Sequence, residues 1–158
     1  GPMAPTRAGS LPATALVKLC FSGRYSENEL YKRITKTGGL VDHLGTSDAR
    51  EVRERIEQGD RYAALIYDAM IYQVNKFIGA YATVLRGDVE AILLTGGVAN
   101  DPYLVKKITS AVEWIAPVKV YAGDFEMEAL AAGVQRVLSG QEEPKEYTGI
   151  PVWSGFNK

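Results

Sequence analysis

The fold of this chain turns on Ala91-Ile92-Leu93-Leu94-Thr95-Gly96-Gly97-Val98-Ala99-Asn100-Asp101-Pro102. An apolar run leads into a glycine pair, and Asp101 followed by Pro102 marks a helix start. Strand, tight turn and helix in that order bring a backbone close to a ligand. They also turn the N–H groups of the helix start towards it, and a phosphate or a sugar is the usual occupant. The competing reading is a plain tight connection. The missing Lys-Ser/Thr excludes a Walker A loop. Gly-Gly-Val-Ala does not match the Gly-x-Gly-x-x-Gly fingerprint, which argues against a Rossmann-like dinucleotide binder.

Working outward, Glu90 to Thr95 reads as a strand whose unbroken apolar centre suits burial on both faces, as in a parallel sheet. A helix from Pro102 to about Trp114 follows, Pro117 ends the connection, and Val118 to Ala122 alternates as a second strand. Asp124 is expected to cap a last helix with Met127, Leu130, Ala131, Val134 and Leu138 on one face, stopped by Gly140. Upstream, Ile66, Met70, Val74, Phe77 and Tyr81 recur at spacings of three and four, with Tyr67, Ile71 and Ile78 beside them. That helix would run from Asp60 to about Leu85, roughly 39 Å at 1.5 Å per residue. Its apolar residues spread over more than one face, so it is expected between two layers. Gly79 inside it costs about 1 kcal/mol relative to Ala, which suggests close packing against a neighbouring backbone, or a kink.

Three shorter helices precede it. One runs from Thr14 to Phe21, and one from Glu27 to Ile34 behind a Ser26/Glu29 capping box. The third runs to Ile56 behind Asp48 and Glu51 at the same spacing, and Gly59 breaks it. Residues 1–12 hold Pro2, Pro5, Gly9 and Pro12 and read as a loop. Thr37-Gly38-Gly39 forces a turn, and Leu40-Val41 forms either a brief extended piece or a helical turn. The end of the chain, 148–158, is a tail that is either frayed or strapped down by Trp153.

The second half is therefore an α/β unit whose right-handed crossover makes its two strands parallel. Two strands do not form a stable sheet by themselves, so further strands are expected outside this sequence. Gly1-Pro2-Met3 reads either as a cleavage scar before a start Met or as native sequence at the cut end of a longer protein.

With 158 residues and 46% hydrophobic content, the chain is one domain's worth and can bury a core. A net charge of −1 gives no reason to expect nucleic acid or an anionic membrane as partner. One Cys and one His exclude an internal disulfide and a His-rich metal site. There is no membrane-length apolar run and no signal-peptide pattern. A reducing, cytoplasmic setting is expected.

Candidate site residues each carry two readings. Thr95-Gly96-Gly97-Val98 is a nucleotide seat or a tight turn. Asp48-Ala49-Arg50 offers a carboxylate and a guanidinium for a ribose and a base or phosphate, or simply a cap and a solvated side chain. Arg7 could clamp a transferring phosphoryl group, or be a loose terminal side chain. Glu126 and Glu128 suit a helix dipole, or could supply an oxygen to Mg²⁺ directly or through water. His43, with apolar and acidic neighbours, reads as structural.

Several of these pieces fall into one order. Arg7-Ala8-Gly9-Ser10-Leu11-Pro12 comes first, then Leu16 to Gly23, then Gly38-Gly39-Leu40 with Leu44-Gly45-Thr46-Ser47-Asp48-Ala49-Arg50. Asp68-Ala69-Met70-Ile71-Tyr72-Gln73 follows, then Ile92 to Gly97, then Glu126-Met127-Glu128-Ala129-Leu130-Ala131. From about Gly1 to Tyr147 this order resembles the C-terminal half of the butyrate kinases, in the acetate kinase group of the actin/hexokinase-like phosphotransferases.

The resemblance implies a partial ribonuclease H-like C-terminal domain, helix-rich with two parallel strands remaining. Residues 1–147 would be a nucleotide-binding domain lacking its first strands, and 148–158 the tail. It implies phosphoryl transfer between ATP and a short-chain carboxylate, giving ADP and an acyl phosphate, with Mg²⁺. It makes Thr95, Gly96, Gly97 and Val98 the adenosine motif and places Asp48, Ala49 and Arg50 along the same nucleotide pocket. Arg7 matches an arginine used on the substrate or phosphoryl group, and Glu126, ahead of Glu128, matches a glutamate near the metal. It also implies a homo-oligomer joined through this domain, and favours a native cut end at Gly1. The family's first phosphate loop, most of the carboxylate pocket, a catalytic Asp and a glycine-rich hairpin beginning with a catalytic His have no counterpart in the sequence. His43 cannot replace that His, because its neighbours match a different segment. The expectation is a kinase part inactive alone; the alternative is a non-catalytic nucleotide-binding or oligomerisation fragment.

Overall fold

The computed structural model describes residues 1–151 and 153. The chain divides into two compact units, Gly1–Gly123 and Asp124–Lys158. The first holds helices α1 (Ala13–Cys20), α2 (Glu27–Thr35), α3 (Leu40–Leu44), α4 (Ala49–Glu57) and α5 (Arg61–Val84). Strand β1 (Ile92–Gly96), a 3₁₀ turn (Gly97–Asn100), α6 (Pro102–Val112) and β2 (Val118–Ala122) complete it. The second unit is built on α7 (Glu126–Leu138).

Local chemistry explains most boundaries. Ser26 Oγ accepts from Glu29 N while Glu29 Oε2 accepts from Ser26 N, the reciprocal capping box that starts α2. Asp48 caps α4 through Arg50 N, Asp60 caps α5 through Ala63 N, and Asp101 caps α6 through Tyr103 N with Pro102 in the first turn. Arg55 also donates to Asp60 through both Nε and Nη2, binding the end of α4 to the start of α5. Leu40-Val41 resolves as the helical turn α3, and Leu40 is fully buried.

The core gathers where α3, α4 and α6 meet the first half of α5. Leu40, Val52, Tyr67, Ile71 and Val112 are its most buried side chains. β1 and β2 pair in parallel with Ile92 opposite Val118 and Gly96 opposite Ala122, forming a two-stranded α/β sheet.

Four expectations are corrected. β1 is not buried on both faces: Ile92 and Leu94 pack against the core, whereas Leu93 is 61% exposed. The alternation follows because the core covers only the Ile92–Leu94 side. α5 is likewise covered on one side, with Leu65, Tyr72 and Tyr81 exposed, rather than lying between two layers. A Cβ added at Gly79 would meet nothing within 4 Å, so no neighbouring backbone explains that glycine. Asp124 does not cap α7; Phe125 occupies the N-cap position without a side-chain bond, leaving Asp124 one residue outside the reach of a cap.

The N-terminal loop is tied down. Ala4 and Arg7 exchange both backbone hydrogen bonds. Gly38 N donates to Thr6 O, Val41 N to Pro5 O, and Ala8 N to Ile34 O. Met3 is buried and its N–H donates to Gln73 Oε1 on α5. In the tail, Tyr147 and Ile150 are exposed and Trp153 is two-thirds exposed; Val152 and 154–158 lie outside the described residues. No described helix is long and apolar enough to cross a membrane.

Candidate functional site

The glycine turn has a backbone conformation and bracing that set it apart from the rest of the strand ends. β1 ends at Gly96 with φ 85° and ψ 174°, a conformation essentially reserved for glycine. The 3₁₀ turn that follows is closed by Asn100 Nδ2 donating to Gly97 O at 2.9 Å and is anchored by buried Ala99. Gly123 N, just past β2, donates to Gly96 O at 3.2 Å and holds the far edge. The start of α6 is not an open anion hole, because the Asp101 carboxylate already takes the Tyr103 N–H at 3.0 Å. A second anion there would face that negative charge. The carboxylate thus leaves the start of α6 less receptive to an anion than an uncapped helix end.

Asp48 and Arg50 are bound to each other. Arg50 Nε lies 3.0 Å from Asp48 Oδ1 and Nη2 lies 2.7 Å from Oδ2, a two-pronged pair at the start of α4. Arg50 remains mostly exposed, while Ala49 packs on the core. The capping role of Asp48 is thus real, and the pair presents its guanidinium outward from the helix start. The Arg50 side chain, then its backbone N–H, draws the Asp48 carboxyl down from its ordinary value to about 2. A carboxyl lowered on folding contributes stability above its unfolded pKa and loses it as pH falls through the folded one. The Asp48 carboxyl carbon is expected to titrate by NMR at about pH 2, well below a free aspartate; titration at the ordinary value would contradict the pairing.

The structure brings the Asp48–Arg50 helix and the glycine turn together. Arg53, one turn along α4 from Arg50, places Nε 3.5 Å from Asp101 Oδ1, and Asp101 directly follows the 3₁₀ turn. Tyr67 on α5 donates to Asp101 Oδ2 at 2.8 Å. Beside them, Tyr103 donates to Asp68 Oδ1 and Lys107 to Asp68 Oδ2. Sequence reasoning missed Arg53, Tyr67, Asp68 and Lys107, since no spacing pattern marks contacts made between different helices.

Arg7 is not a loose terminal residue: its backbone is clasped to Ala4 and its neighbours to the α2–α3 turn, with the side chain exposed. Among the described residues no hydrogen bond or ion pair joins it to the glycine turn. Glu126 and Glu128 are exposed in the first turn of α7. Among the described residues no three His, Cys, Asp or Glu side chains group as a metal site. His43 Nδ1 lies 3.2 Å from Tyr62 Oη with the rings edge to face, and the histidine is exposed.

Residues 1–143 match the family model described as the acetokinase family, and the chain belongs to that family. It is 53% identical over 147 residues to a protein named probable butyrate kinase 2 from Caldanaerobacter subterraneus subsp. tengcongensis, covering 93% of this chain and 42% of that one. It is 50% identical, again over 147 residues, to a probable butyrate kinase from Clostridium botulinum strain Alaska E43, of which it covers 41%. The fold is that of solved acetate and propionate kinases. Acetate kinase from Porphyromonas gingivalis superposes with a TM-score of 0.76 at 24% identity, over 87% of this chain and 41% of that one. A propionate kinase from Francisella tularensis gives 0.70 at 22% identity, over 80% of this chain and 38% of that one. The chain thus spans about two fifths of the length of these relatives.

Proposed function

We propose that this chain is the nucleotide-facing C-terminal part of a butyrate kinase-like carboxylate kinase, which transfers phosphate between ATP and butyrate to give ADP and butyryl phosphate. The carrying observation is the Gly96-Gly97 turn, in a glycine-only conformation and tied through Asp101 to the helix that presents Arg50. Residues 1–147 act as the nucleotide-binding domain without its first strands, with 148–158 as a tail. Thr95, Gly96, Gly97 and Val98 seat the adenosine, and Asp48, Ala49 and Arg50 line the same pocket. Arg7, held by the α2–α3 turn, is the charge that meets the phosphoryl oxygens. In such a transfer the protein contributes mainly positioning and charge neutralisation. Mg²⁺ would supply charge neutralisation on the nucleotide's phosphates, with Glu126 as one oxygen ligand, direct or through water. The setting is cytoplasmic, consistent with a single exposed Cys20.

The chain spans about two fifths of its butyrate kinase relatives, so by itself it is expected to show no turnover. Purified chain given butyrate, ATP and Mg²⁺ should form no acyl phosphate trapped by hydroxylamine. The same chain titrated with ADP should melt at a rising temperature. Acyl phosphate formation would refute the incompleteness, and an unchanged melting temperature would refute the nucleotide seat.

A second reading, a non-catalytic nucleotide-binding or oligomerisation fragment, draws on exposed apolar surface. α7 exposes Met127, Leu130, Val134 and Leu138. An apolar cavity of about 350 Å³ lies among Phe77, Ile78, Tyr81, Leu85, Ile92 and Ile115. Such surfaces favour association of copies, and sedimentation across a concentration series would reveal it.

A further inference from the structure

We propose that Asp101 is a positioning residue for the nucleotide site, holding the glycine turn and the Asp48–Arg50 helix in register through Arg53 and Tyr67. The proposal rests on the nucleotide reading above. Capping α6 needs only one bond from Asp101, the one accepted from Tyr103 N. Yet both carboxylate oxygens are engaged, from three helices. Oδ1 takes the Tyr103 N–H and faces Arg53 Nε of α4, and Oδ2 takes the hydroxyl of Tyr67 of α5 at 2.8 Å.

The arrangement is buried enough to be stiff. Tyr67 is wholly inaccessible, and the side chains of Asp101 and Arg53 are only 13% and 21% exposed. A phenylalanine would fill the Tyr67 position equally well by packing alone, so its hydroxyl is present for the carboxylate. Arg53 is fixed further: it lies over the Tyr103 ring at 4.3 Å and donates to Glu57. Tyr103 itself stacks on Tyr67. A fully paired polar link of this kind stiffens the elements it joins.

The two ends of the link bear on the site. Arg53 follows Arg50 by one turn of α4, so fixing Arg53 fixes the direction of the Asp48–Arg50 pair. Asp101 ends the turn that begins at Gly96, so fixing Asp101 fixes the backbone on which the sugar would lie. One carboxylate thereby sets the spacing between the two elements that the nucleotide reading assigns to one site.

The test compares the wild-type chain with Asp101→Asn, which keeps a good cap but loses the charge, and Tyr67→Phe, which loses only the hydroxyl. ADP affinity, measured by calorimetry well below the melting temperature of each, is expected to weaken about tenfold in either variant, the scale of one lost bond to a charged group. The double variant should bind no more weakly than the worse single one, because both act through one link. Backbone amide signals of Gly97 and Arg50 should shift together in Asp101→Asn, which loss of a cap alone would not produce. Wild-type affinity in Tyr67→Phe, or an Arg50 signal unmoved in Asp101→Asn, overturns the proposal and leaves the nucleotide reading standing. Absence of ADP binding by the wild-type chain overturns both.

Discussion

Gly96→Ala is expected to destabilise the chain by about 1–3 kcal/mol, the cost of forcing a side chain into a region of backbone space that only glycine occupies freely. At φ 85° and ψ 174° the residue is outside even the left-handed helical region that Asn or Asp tolerates. For a chain of this size that cost should lower the melting temperature by roughly 2–10 °C. The larger effect is on binding. Relief of the strain must rotate the peptide whose carbonyl accepts from Gly123 N, and with it the 3₁₀ turn. ADP binding should therefore be lost. Gly97 has no such backbone demand, since its φ is not positive. Gly97→Ala should then cost only a few tenths of a kcal/mol in a turn, yet still impair ADP, because a methyl group would stand where the ligand approaches. Equal melting temperatures for the two variants would contradict the backbone argument. Unimpaired ADP binding by both would contradict the seat.

The parts of the fold that were legible are those settled by neighbours in sequence. Ser26 with Glu29, Asp60 before the long apolar stripe, and Asp101-Pro102 all start helices because their side chains reach only two or three residues ahead. Asp124 failed by the same physics. A cap must sit at the boundary itself, and α7 begins one residue later than the acidic side chain requires. Periodicity was a weaker guide. It located α5 but overstated its cover, because an apolar side chain on a helix face carries no sign of which neighbour will meet it. Tyr81, on the stripe itself, is exposed for that reason. The glycine turn was legible as a backbone feature, and its ordered company made the family legible. The Asp101 link was not. Tyr67 and Asp101 are 34 residues apart and meet only because α5 packs on α6. Their partnership is a property of packing that no motif records.

Gly39→Ala should be strongly destabilising, because it combines backbone strain with collision. Gly39 holds φ 62° and ψ −132°, another conformation hostile to side chains. A Cβ there would run into the Ala4 carbonyl oxygen and come within 2.8 Å of Arg7 O. Both obstacles are backbone, so neither can swing aside as a flexible side chain would. They also belong to the Ala4–Arg7 bridge, which Gly38 N and Val41 N fasten through Thr6 O and Pro5 O. Strain and overpacking together should cost roughly 2–5 kcal/mol, a fall in melting temperature of roughly 4–20 °C. Gly23→Ala is the control: its φ of 71° is also positive, but nothing lies within 4 Å of the added carbon. It should cost only about 1 kcal/mol. Arg7 sits on the strand of backbone that must yield, so in the Gly39 variant trypsin should cut after Arg7 faster than in the Gly23 variant. Similar melting and cleavage in the two variants would mean that the α2–α3 turn does not hold the Arg7 segment, and that arginine would lose the fixed backbone its proposed role requires.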